Sequence, residues 1–137
     1  MLTALTLVPA GAHLSELPHK LPLDRAEYQT VQQIYRGWSL FGVANIAALV
    51  ATAWLAFRVQ RPSTAFTAAV VALLCLIPTQ IVFWSVTFPI NQATDNWSVL
   101  PPDWSALRAR WEYSHAVSAC LTTVALCANV IAVLRET

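Results

Sequence analysis

Glu112 and His115 stand three residues apart, and Arg108 stands four before Glu112, so a helix carrying them presents all three on one face. Near the other end of the chain His13, Glu16 and Lys20 form a similar set, with spacings of three and then four. A carboxylate beside an imidazole is a simple acid–base pair, because imidazole titrates near neutrality and the carboxylate can orient it or share its proton. His13, Glu16, Glu112 and His115 also offer the donor types that hold a single iron, zinc or copper ion. The Glu112-x-x-His115 step has the spacing of carboxylate-bridged di-iron bundles, but that centre needs two further carboxylates. A haem between His13 and His115 is less favourable, with charged glutamates one turn away. The bland alternative is mutual neutralisation: Glu16 pairs with Lys20, Glu112 pairs with Arg108, and the histidines bond to the carboxylates.

The elements that must position these groups are apolar. Hydrophobic residues make up 57% of the 137 and charged ones 11%, against about 25% charged in a soluble domain. Three segments, about 37–57, 64–90 and 104–134, reach the roughly 20 mostly apolar residues that cross a bilayer. The second contains Pro78 and Pro89, and the first turns of the third are amphipathic. Residues 1–17 are shorter and contain Pro9. Ala10-Gly11-Ala12 resembles a signal-peptide cleavage site, but no basic residue precedes the apolar run, so the segment reads as a fourth span. Lipid offers the backbone no hydrogen bonds, which restricts these segments to helices. The expected fold is all-α, a four-transmembrane-helix bundle forming one domain over 1–137, with the lipid bilayer as its surroundings. Of the connections, 18–35 is long and polar, with a surface helix around Tyr28 to Tyr35; 58–63 is short; and 91–103 carries Pro101-Pro102.

Four spans make the first and last helices antiparallel, which reverses one triplet against the other. His13 is then level with His115, Glu16 with Glu112, and Lys20 with Arg108: cation, carboxylate and imidazole from the loop side inward. Ionisable groups are costly inside a bilayer, so two matching sets argue for one shared interior site. Asn91 and Gln92 leave the membrane on that side, and Trp84, Trp104, Trp111, Tyr35 and Tyr113 can wall a pocket there. For most of the tryptophans an interfacial belt is the better explanation. A formal charge of +1 with scattered basic residues gives no footprint for nucleic acid. Cys75, Cys120 and Cys127 are expected as buried thiols. Arg58, Arg61 and Arg135 are dense on the side of the termini, whereas Lys20, Arg25, Arg36, Arg108 and Arg110 are spread over longer loops. Density favours cytoplasmic termini.

The stretch Phe88-Pro89-Ile90-Asn91-Gln92-Ala93-Thr94, then Trp104, Arg108, Arg110-Trp111-Glu112 and His115, resembles the anthrone oxygenase-like family. These are small four-helix membrane proteins, mostly uncharacterised in bacteria, and the resemblance implies a bacterial inner-membrane location. The match covers about residues 80 to 134, and the remainder agrees only in helix count. Fungal relatives oxidise anthrones to anthraquinones with oxygen and have no established cofactor. The resemblance implies an oxidoreductase acting on a hydrophobic, aromatic small molecule, with Asn91, Arg110, Trp111, Glu112 and His115 as site residues. On that reading His115 is general base or ligand, Glu112 orients it, Arg108 or Arg110 stabilises an oxyanion, and Asn91 positions the substrate. Trp111, Trp104, Trp84 and Tyr35 would contact the substrate, and His13 and Glu16 would complete any metal site. His13, Glu16 and Lys20 lie outside the family pattern, which leaves room for different chemistry. The alternative is a non-enzymatic accessory subunit or small-molecule binder. Ala44, Ala47, Ala48 and Ala51 would suit close packing on a membrane partner or a second copy.

Overall fold

The computed structural model describes residues 1–136, and no strand occurs among them. Five helices carry the chain: α1 Leu2–Lys20, α2 Arg25–Gln32, α3 Phe41–Arg58, α4 Thr64–Ala93 and α5 Trp104–Glu136. A 3₁₀ turn, Trp38–Leu40, leads into α3. Helix α4 widens to a π turn over Phe83–Thr87. Pro89 has no N–H to give Ser85, and the wider turn lies across that gap in the ladder.

Three helical stretches are long and apolar enough to cross a membrane: Trp38–Arg58, Thr64–Ala93 and Trp104–Glu136. Helix α1 is not among them; it has 19 residues, Pro9 and Pro18 inside it, and the triplet His13, Glu16 and Lys20. It also runs through Pro18 to Lys20, further than residues 1–17 anticipated. Helix α5 packs along α4 and α1, and α3 packs on α1 and α4, so the four long helices close a ring in chain order.

Side chains are sorted by size in a way that suits lipid. Ala48, Ala56, Ala69, Ala72, Ala125 and Ala132 are buried, whereas Leu74, Ile81, Trp54, Phe57 and Leu134 face outward. Lipid tails are as apolar as leucine, so association rests on close backbone approach and interhelical hydrogen bonds. Asn129 of α5 supplies two such bonds, donating from Nδ2 to the Thr3 and Thr52 hydroxyls at 3.0 Å each. This sorting corrects the reading of the cysteines. Cys120 and Cys127 are exposed on the outer surface of α5, and Cys75 is half-buried. An apolar surround does not require a thiol to hide inside the protein.

Helix α2 begins with a capping box in which the Asp24 carboxylate accepts from Glu27 N–H and the Glu27 carboxylate accepts from Asp24 N–H. It is tied to the segment after α4 by Gln29, which donates to the Ser98 carbonyl at 2.6 Å, and by Arg25, which donates to the Leu100 carbonyl. In that segment Asp95, Asn96 and Trp97 are left-handed, with φ of 45°, 51° and 66°. Asp and Asn tolerate this region, but tryptophan rarely adopts it. Trp97 is held there by its N–H, which donates to the Thr94 hydroxyl at 3.1 Å, and its ring is buried.

Candidate functional site

The Lys20 ammonium is the centre of the loop-side cluster. It lies 2.8 Å from His13 Nδ1, 3.0 Å from Glu16 Oε2 and 3.4 Å from Glu112 Oε1. Lys20 is 2% exposed and Glu112 fully buried. An ammonium only donates, so His13 Nδ1 accepts and the ring proton sits on Nε2. The His13 and His115 rings lie with centroids 4.3 Å apart and planes tilted by 32°, and Trp111 lies 4.8 Å from His13 and 4.3 Å from His115. Trp111 donates its indole N–H to Asn91 Oδ1 at 2.7 Å, which brings the exit of α4 to the cluster.

Helical side chains lean toward their own N-terminus, and this breaks the mirror symmetry of the two triplets. On α1 that direction carries Lys20 inward, past Glu16 to His13. On antiparallel α5 it carries Arg108 outward. Arg108 donates to the carbonyls of Leu23 at 2.6 Å and Lys20 at 3.4 Å, closing the C-terminus of α1. Its guanidinium lies over the Trp104 ring at 4.6 Å. The two cations are therefore not level, and Glu112 pairs with Lys20 rather than with Arg108.

Among the residues expected to act, His13, Glu112, His115, Trp111 and Asn91 come together, with Glu16 and Tyr35 at the edge. Tyr35 donates to Glu16 Oε2, and its ring lies 4.4 Å from the Lys20 nitrogen. Arg110 and Trp84 do not join them. Both are exposed, Trp84 at 59%, because their positions on α5 and α4 face away from the bundle. Trp104 walls the cluster through Arg108 and Tyr28.

Tyr28 and Gln32 are part of this site although the loop reading placed Tyr28 on a surface helix. Tyr28 is fully buried and donates to Glu112 Oε1 at 3.0 Å; Gln32 donates to the same oxygen at 3.4 Å. Their i, i+4 spacing behind the Asp24-x-x-Glu27 box was the available signal. Burial, and then the adjacent Glu112 carboxylate, hold the Tyr28 phenol above its ordinary pKa, so it remains a proton donor. Burial and the bond to Glu16 move Tyr35 the same way.

The donor set does not fit a metal ion. Lys20 takes His13 Nδ1 and approaches both carboxylates, so an ammonium already fills the cation position. Among the described residues no three His, Cys, Asp or Glu side chains are grouped to hold an ion. Nor do the histidines fit a bis-histidine haem, because ring centroids 4.3 Å apart leave no room for an iron between them. The site is instead a packed acid–base cluster with polar atoms to spare. Glu112 Oε2, His115 Nε2 and Arg108 Nε are buried without a hydrogen-bond partner.

These features define an all-helical protein with three helices able to cross a membrane and a buried ionic cluster at one end. No family model matches the chain, and no curated protein or solved structure proved similar to it.

Proposed function

We propose that the chain is a four-span integral membrane protein, with α1 as the additional span, and that its cluster removes a proton from a hydrophobic, aromatic small molecule so that oxygen can attack it. The observation that carries the reading is the buried His115 Nε2, which has no partner and whose ring lies against His13, itself 2.8 Å from the Lys20 ammonium. A neutral imidazole with a free nitrogen is a general base, and a fixed ammonium stabilises an oxyanion forming nearby. Applied to an anthrone, as the resemblance suggests, the ring CH₂ loses a proton to the base and its carbon adds oxygen. Both hydrogens then leave with one oxygen atom as water, and the other oxygen becomes the new carbonyl. Asn91 and Trp111 would orient the rings, and Arg110 has no part in this version because it is exposed.

Oxygen uptake with anthrone and the purified protein in detergent tests the reading. Uptake should scale with protein and fall at least a hundredfold in His115→Ala, the lower range of a lost general base being about 10²-fold. Uptake unchanged by that substitution would end the enzymatic reading. A non-enzymatic accessory subunit or small-molecule binder is the second reading, and one observation favours it. Two hollows, of about 340 Å³ beside Gln29, Gln33 and Arg36 and about 280 Å³ beside Thr52 and Asn129, lie away from the cluster. Anthrone bound without turnover would select it, and exposed Ala51 leaves part of α3 open to a partner helix.

The placement we infer is a bacterial inner membrane with cytoplasmic termini, on the density of Arg58, Arg61 and Arg135. Single cysteines at Arg25, Gln60 and Asn96, in a chain freed of its own three, test the topology by impermeant labelling. Positions 25 and 96 should label from one side and 60 from the other. Position 60 labelling together with the other two would sink the four-span arrangement.

A further inference from the structure

The tryptophans and tyrosines of the cluster form a connected series that acid–base chemistry does not use. From His115 the ring centroids step 4.3 Å to Trp111, 5.5 Å on to Trp97 and 5.0 Å on to Tyr28. All three aromatic side chains are buried, at 5%, 2% and 0% exposure. Indole and phenol are the side chains most easily oxidised by one electron, and rings in contact exchange an electron readily. What differs along the series is where a proton can go. Trp97 Nε1 has no hydrogen-bond partner, and Trp111 Nε1 faces the Asn91 amide oxygen, a very weak base. Tyr28 alone of the three points its proton at a carboxylate, Glu112 Oε1 at 3.0 Å.

We propose that Tyr28 is a redox-active tyrosine, the end of a Trp111–Trp97–Tyr28 relay that draws oxidising equivalents away from the histidine pair. The oxidant is an oxygen-centred or substrate-centred radical formed there. It gains one electron through Trp111 and Trp97, and Tyr28 loses that electron while its proton passes to Glu112. The products are the reduced oxidant, a neutral phenoxyl radical and a protonated Glu112. An indole radical cation on Trp97 or Trp111 has no base to take its proton, so the hole moves on to the phenol. The benefit to the protein rests on the oxygen chemistry proposed above, whereas the relay itself belongs to the packing and works with any strong one-electron oxidant.

The intact protein in detergent can be oxidised by photogenerated tris(bipyridyl)ruthenium(III), frozen, and read by electron paramagnetic resonance. The expected spectrum is a neutral tyrosyl radical. The chain has three tyrosines, Tyr28, Tyr35 and Tyr113, so single Tyr→Phe variants assign it. Tyr28→Phe should lose most of the tyrosyl signal and gain a tryptophan one. Trp97→Phe, which leaves the Tyr28–Glu112 bond in place, should lower the tyrosyl yield. A full signal in Tyr28→Phe, one lost only in Tyr35→Phe or Tyr113→Phe, or a yield indifferent to Trp97→Phe would overturn the relay. Oxygen uptake is a separate readout, so failure of either claim is visible apart from the other.

Discussion

Lys20→Met is expected to cost about 3–5 kcal/mol of stability, the range for removing one partner of a buried ion pair. Methionine keeps the length of the side chain but leaves Glu112, fully buried, with only the Tyr28 and Gln32 donors. It also removes the proton donor to His13 Nδ1. Glu112→Leu should destabilise as well, because Lys20 then keeps only the half-exposed Glu16 as a carboxylate partner. The double variant should be more stable than the sum of the two losses implies, by at least about 0.5 kcal/mol for groups in direct contact. Unfolding in detergent, followed by helical circular dichroism, supplies all three values. Strict additivity would mean that Lys20 and Glu112 do not act as a pair.

Trp111→Ala should produce a loss of similar size, about 3–5 kcal/mol for emptying a buried aromatic position. The indole is 5% exposed and touches His13, His115 and Trp97, so no single neighbour can fill the space. Trp111→Phe separates packing from polarity. It retains most ring contacts and removes the donor to Asn91 Oδ1, worth about 1 kcal/mol. The same unfolding assay measures both. A Trp111→Ala protein as stable as wild type would show that this ring does not hold α4 and α5 to the cluster.

The composition and run lengths of this chain were enough to determine helices, three of them long and apolar enough to cross a membrane, because backbone groups in hydrocarbon have few ways to pair. Spacing was enough to put His13 beside His115 and Glu112 on the inner face of α5, since helical period is a local property and a count of four spans runs the first and last helices antiparallel. The positions of the two cations were not legible. Lys20 and Arg108 occupy matching places in their triplets, but the N-terminal lean of helical side chains sends one inward and the other outward. Choosing the partner of Glu112 required the relative depth of two helices, and a shift of one turn would have changed it.

Tyr28, Gln32 and Trp97 show the same limit from another side. A capping box at Asp24 marks where α2 starts but says nothing about what α2 lies against. Its inner face was decided by Gln29 and Arg25 docking on carbonyls 69 and 75 residues away, and by three left-handed residues that turn Trp97 inward. Likewise the donor types His, His, Glu and Glu were compatible with a metal until Lys20 was found among them. Residue types and spacing therefore indicated which residues of α1 and α5 could share a site, although Arg110 stays outside it and Tyr28 and Gln32 of α2 join it. Tertiary structure alone decided which charge fills its centre, because depth and docking depend on contacts between segments distant in the chain.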